Sequence, residues 1–379
     1  MTSLPVPPAT APERVLGWDV LRGLCALAVA VYHLMYWQDL ATVHTLGSYG
    51  VYLFFVLSGA SLAYNYAGQM RGPADAARFL VTRWLRLVPL FLVACLLFLA
   101  LLAVRNGAWV DQIAWRLLLN VSFAFGVYDP TIWALPIGGW SLGIEFVYYL
   151  AFPLLLLAVS RRTWWIVVGT ALVALQWTWI QHTAGSAAGY AASSVAYHQV
   201  PAFAAYFFGG CVIGAARRAR DRAWPQAAGV LAWAAMAVLL LVLNSPAAGA
   251  ELLGVRGAVL FVACFGAVFA SAHVRLAGGV ARVAPWLGDI TYGCYLLHPL
   301  FFFGFNWLVW PRLSTLELAH AAPAVRLAVL AGVLLASCAT AAASERWFEA
   351  PVRRWGKRML APARKPAAKP YIDAASISS

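Results

Sequence analysis

Apolar residues in this chain come in long unbroken runs separated by short polar segments. They show neither the alternation of half-buried strands nor the i, i+3, i+4 stripe of a surface helix. Ten runs approach the roughly 20 residues that cross a hydrocarbon layer: 15–37, 46–67, 83–104, 140–159, 163–181, 199–216, 226–244, 254–272, 286–310 and 325–345. Continuous runs specify helices, because a membrane barrel would alternate apolar and polar positions. The stretch 112–128 (QIAWRLLLNVSFAFGVY) is shorter and is interrupted by Arg116 and Asn120, which predicts an interfacial or re-entrant helix inside a loop. The pattern therefore predicts an all-α fold, a polytopic membrane helical bundle of about ten transmembrane helices over 15–345. A tail of 1–14 precedes it and a basic tail of 346–379 follows it.

Composition excludes a soluble alternative. Of 379 residues, 63% are hydrophobic and 11% charged, too few polar groups to cover a soluble domain of this size. The net charge of +13 would suit a nucleic-acid partner, but the basic residues sit in short clusters between apolar runs. With the N-terminus inside, 21 of the 27 Lys and Arg fall on the cytoplasmic side and five outside, while Arg22 lies within a run. That asymmetry predicts cytoplasmic N- and C-termini and no nucleic-acid partner. The first part of the basic tail is expected along the anionic inner leaflet and the rest disordered. Cys25, Cys95, Cys211, Cys264, Cys294 and Cys338 all lie in apolar runs without a CxxC pair, so neither a disulfide framework nor a metal site is expected. The N-terminal MTSLPVPPATAPER lacks the pattern of a cleaved leader. The predominance of Arg over Lys suits a GC-rich bacterial genome, and a multi-pass helical chain of a bacterium is expected in the inner membrane.

Chemistry is therefore sought among the ionisable residues inside the apolar runs, where they are costly. Arg22 and His33 are eleven residues apart, about 20° past three full turns, so they share one helix face about 16 Å apart along the axis. Asp19, one turn before Arg22, is placed for an ion pair. Ser58-Gly59 in the second run allows close approach of a helix or a ligand. Arg83 and Arg86, at i and i+3, form a phosphate clamp or a topology signal. In the fourth run Ser141 and Glu145 share a face beside Trp140, and Glu145 is expected at the depth of His33, where a carboxylate could polarise an imidazole. Structural pairing elsewhere in the bundle is the alternative. His298, before Pro299, is a pocket-lining or a core histidine.

The elements Asp19-x-x-Arg22-Gly23 with His33, GVYLFFVLSG, RWLRLVP, WSLGIEFVYYLAFPLLL and YGCYLLHPL occur in that order between residues 15 and 310. Together they resemble the membrane-bound acyltransferase 3 family, the multi-span O-acyltransferases of bacterial surface polysaccharides and related molecules. The resemblance implies transfer of an acyl group, usually acetyl, from cytoplasmic acyl-CoA to a glycan hydroxyl. Acyl-CoA is then a co-substrate, with no tightly bound cofactor. It implies Arg22 and His33 as the essential pair, Arg83 and Arg86 as acyl-CoA contacts, and Glu145 as the motif's acidic residue. Phe146 and Tyr52 stand where relatives often carry acids. A C-terminal esterase-like domain, present in some relatives, is not read in this sequence, so transfer is expected to finish in the membrane domain or on a partner. Lipopolysaccharide, exopolysaccharide, peptidoglycan or a secondary metabolite would each fit as acceptor, and the oligomeric state is left open. The residues leave two rivals: a transporter using the Arg22–His33 face, against which no inverted repeat is visible, and a non-catalytic scaffold.

Overall fold

The computed structural model describes residues 13–185, 197–220 and 222–360. Each of the ten apolar runs is a helix: α1 Leu16–Trp37, α2 His44–Tyr66, α3 Pro73–Asn106, α5 Trp140–Val159, α6 Arg162–Ala184, α7 Ala204–Ala219, α8 Gln226–Val242, α9 Gly254–His273, α10 Gly278–Gly304 and α11 Pro323–Ser344. Among the described residues eight helical segments are long and apolar enough to cross a membrane. Helix α8, of 17 residues, and α10, of 27, pack among them. No β-strand occurs among the described residues. The fold is a polytopic membrane helical bundle.

Three boundaries differ from the apolar pattern, each for a local reason. Helix α3 begins ten residues before the apolar run, with Pro73 in its first turn, where the missing N–H costs nothing. Its 34 residues span about 51 Å, so its charged first turns extend past an apolar layer of about 30 Å. Helix α11 does not stop at 345. It continues through a π-turn, Glu345–Glu349, into α12, Ala350–Met359. There Arg353 pairs with Glu345 and Glu349, and Gly356 packs so closely on Leu85 of α3 that a Cβ would lie 2.6 Å from its Cδ1. The expected basic tail is thus, through its described part, a continuation of the bundle; 361–379 and 1–12 lie outside the described residues.

The segment 112–128 is the third. It forms α4, Ile113–Ser122, a helix of ten residues and about 15 Å, too short to cross. Phe123, at φ 57°, ends it. The buried Asn120 donates to the carbonyls of Arg116 (2.8 Å) and Trp133 (2.7 Å) and accepts from Leu135 N (3.0 Å). The polar residue that interrupts the run is the clip that holds the loop.

Helix α2 is the centre of the bundle. On one side it meets α7 through small residues: a Cβ on Gly59 would lie 2.1 Å from the Phe207 carbonyl oxygen, and one on Gly214 would lie 2.0 Å from that of Ala60. Small residues at a crossing let backbones touch, the usual source of helix association where lipid supplies no hydrophobic drive. On its other side α2 packs on α1, which is flanked by α10.

Candidate active site

Two cavities of about 130 Å³ each lie between these central helices, and Val51 and Tyr295 line both. Tyr295 is fixed there because its hydroxyl donates to the Gly138 carbonyl (2.9 Å) and lies 2.9 Å from Ser141 Oγ.

The first cavity is basic. Arg22, Arg83 and Arg86 line it, with Ser58, Ser61, Ser141, Glu145 and Tyr149. Arg22 donates to Asp19 (3.2 Å), to the Leu57 carbonyl (3.5 Å) and to Ser61 Oγ. The expected Asp19–Arg22 pair is present and extended: Asp19 also accepts from Arg14 (2.5 Å), which reaches Asp289 (2.8 Å) on α10. Arg83 donates to the Tyr66 hydroxyl (3.0 Å), and its guanidinium lies over the rings of Tyr66 and Phe79. Its buried Nε has no partner among the described residues. Arg86 is exposed and lines the same cavity.

The second cavity surrounds His33, with Tyr32, His44, Ser48, Trp140, Tyr197, His198 and Glu251. His33 Nδ1 lies 2.9 Å from Nε2 of His298, and the two rings stack at 5.2 Å. His298 is fully buried, and its Nδ1 lies 3.3 Å from the Cys294 carbonyl. A carbonyl can only accept, so in the neutral pair Nδ1 of His298 donates and its Nε2 accepts. The His33 proton then sits on Nδ1, and the lone pair of its Nε2 is free to take a proton.

The residues expected to form one site are therefore divided. Glu145 does not polarise His33. It accepts from Ser58 Oγ (2.5 Å) and the Tyr149 hydroxyl (2.5 Å) in the basic cavity, and the partner of His33 is His298. Gly59 lines neither of these two cavities and serves the α2–α7 crossing. Trp140 faces the His33 cavity and Ser141 the basic one, as adjacent helix positions must diverge. Ser61, Tyr149, Tyr295, His44, His198 and Glu251 also line these cavities, without a signal in the sequence pattern. The last three lie at span edges, where a polar residue carries no signal. Among the described residues no three His, Cys, Asp or Glu side chains could share a metal ion.

The family described as an acyltransferase domain matches residues 15–342. Acyltransferase MdmB of Streptomyces mycarofaciens is 34% identical over 183 positions, covering 42% of this chain and 46% of that protein. The peptidoglycan O-acetyltransferase OatA of Listeria monocytogenes is 25% identical over 383 positions, covering 89% of this chain and 56% of that protein. The chain thus spans about half the length of the curated relatives it matches. No solved structure matches it. With the family match covering nearly all of the bundle, the chain belongs to the membrane-bound acyltransferase 3 family.

Proposed function

We propose that the chain is an integral-membrane O-acyltransferase of a bacterial inner membrane. It moves an acyl group, acetyl in the simplest case, from cytoplasmic acyl-CoA to a hydroxyl of a cell-surface or exported glycan. The observation that carries this reading is the pair of cavities meeting at Tyr295, one lined by three guanidiniums and the other reaching His33. Arg83 and Arg86 are suited to the phosphates of CoA, and Arg22 adds a third cation along the path of the thioester. His33 Nε2 takes the proton of the acceptor hydroxyl as its oxygen attacks the thioester carbonyl. The carbon–sulfur bond breaks, and the CoA thiolate leaves and recovers that proton. His298 is the positioning residue that fixes the tautomer of His33, the part first expected of Glu145. Glu145 instead holds Ser58 and Tyr149 on the wall of the donor cavity.

The test is transfer of labelled acetyl from acetyl-CoA to the glycan fraction in native membranes, read as alkali-labile acetate. General-base assistance is worth about 10²–10⁴ in rate, so His33→Ala should lose at least that order while still binding acetyl-CoA. Near-normal transfer by His33→Ala would overturn the proposal.

A further inference from the structure

The cavity beside His33 contains a carboxylate that acyl transfer does not require. Glu251 lies in a single 3₁₀ turn, Ala250–Leu252, between α8 and α9, and is 2% exposed. Its Oε1 accepts from Ser48 Oγ (3.0 Å), and its backbone carbonyl accepts from the Tyr49 hydroxyl (3.1 Å). Oε2 is buried without a hydrogen-bond partner among the described residues. Burial pushes its carboxyl above the ordinary range, against the Ser48 donor and the nearby His44. A buried acceptor without a donor weakens a fold, so its place at the wall of a cavity points to a donor supplied from outside.

The other walls narrow the chemistry of that donor. Tyr32, Trp140 and Tyr197 line the same cavity, and the rings of Trp140 and Tyr197 are 5.9 Å apart. Aromatic faces pack on apolar C–H surface. Among the described residues no Lys or Arg lines this cavity, so no fixed cation stands there to balance a phosphate or carboxylate. A neutral ring with an apolar face and several O–H donors meets all of these walls at once.

We propose that this cavity is the acceptor subsite, in which Glu251 Oε2 takes a hydrogen bond from a second hydroxyl of the sugar whose first hydroxyl faces His33. The acceptor is then a polyhydroxylated ring with a further hydroxyl near the reacting one, and Glu251 is a specificity-determining residue. The inference rests on the acyltransferase reading above. A site built to bond a substrate hydroxyl rejects the analogue without it by up to about 10⁴-fold.

The experiment uses the full chain in native membranes, labelled acetyl-CoA, and the glycan fraction extracted from the same cells as the added acceptor. A hydrogen bond to a charged group corresponds to roughly 10- to 100-fold in binding. Glu251→Gln should raise the acceptor concentration for half-maximal transfer by that factor and leave the value for acetyl-CoA unchanged. Ser48→Ala, which removes the donor at Oε1 and keeps the charge, should raise it by roughly two- to tenfold. If Glu251→Gln does not accumulate folded, Ser48→Ala decides by the same criteria. An unchanged acceptor value overturns the subsite. Equal rises for both substrates also overturn it, since they mark a structural role. Wild-type protein that transfers nothing overturns the acyltransferase reading and the subsite together. Active wild type, inactive His33→Ala and unaffected Glu251→Gln overturn the subsite alone.

Discussion

Replacing His298 by leucine isolates the part played by the histidine pair. Leucine roughly keeps the volume of a fully buried side chain but removes the Nε2 that lies 2.9 Å from His33 Nδ1. The Nδ1–H of His33 then faces apolar surface, and leaving a buried donor unpaired costs about 1–3 kcal/mol. The ring can escape that cost by moving its proton to Nε2, the atom that has to be vacant to act as base. Either way the productive arrangement becomes less populated by the same free energy. At about 1.36 kcal/mol per decade, kcat should fall roughly 5- to 150-fold.

Purified protein in lipid nanodiscs, assayed by release of the CoA thiol, gives kcat and the half-saturating acetyl-CoA separately. The latter should not move, because the arginines proposed to hold the donor line the other cavity. His298→Gln offers a side-chain oxygen to the same N–H and should recover most of the rate, which a merely volume-filling role would not predict. Adding His298→Leu to His33→Ala should cost little more than His33→Ala alone, since both act on one proton. A folded His298→Leu protein with kcat within about twofold of wild type, or additive losses in the double variant, would refute the reasoning.

Other perturbations test other parts of the molecule. Arg83→Ala with Arg86→Ala should weaken acyl-CoA binding roughly 10- to 100-fold or more with the fold intact, and unchanged affinity by calorimetry would reduce the pair to topology signals. Because burial raises the Glu251 carboxyl, its protonated form favours the fold. That stability is complete below the unfolded value near about 4.3 and is lost as pH rises through the folded one. Glu251→Gln should therefore melt no lower than wild type near about pH 7, with the gap closing towards about pH 4, and a lower melting point at neutral pH would contradict this. Gly214→Ala places a Cβ 2.0 Å from the Ala60 carbonyl oxygen, so thermal unfolding in detergent should show a loss of about 1–3 kcal/mol.

The bundle was legible in the sequence because length and apolarity alone decide which segments cross a membrane. The boundaries were less so. Hydropathy ends where charges begin, but α3 and α11 continue through charged turns because their backbones pair internally whatever the side chains are. Of the site, the Asp19–Arg22 pair was readable because it lies within one helix turn. Spacing also put Arg22 and His33 on one face. Partnership between helices was not readable. Depth alone made Glu145 a plausible neighbour of His33, whereas rotation of α5 about its axis turns it to Ser58, and α10 supplies the imidazole instead. Glu251 had no sequence signal, since a glutamate in a loop between spans is ordinarily solvated.

How the buried polar atoms are satisfied separates architecture from chemistry. Among the described residues four buried side-chain nitrogen or oxygen atoms lack a partner. Two belong to Gln38 and Arg326, which are tied to each other through the Gln38 carbonyl (2.9 Å). The other two, Arg83 Nε and Glu251 Oε2, belong to residues that line one cavity each, and they differ in sign. An anionic CoA is attracted to the arginine cavity and repelled from the glutamate one when Glu251 is ionised, whereas a neutral polyol can donate to the ionised carboxylate. Under the proposed reaction, this opposition keeps the two substrates from exchanging places across Tyr295.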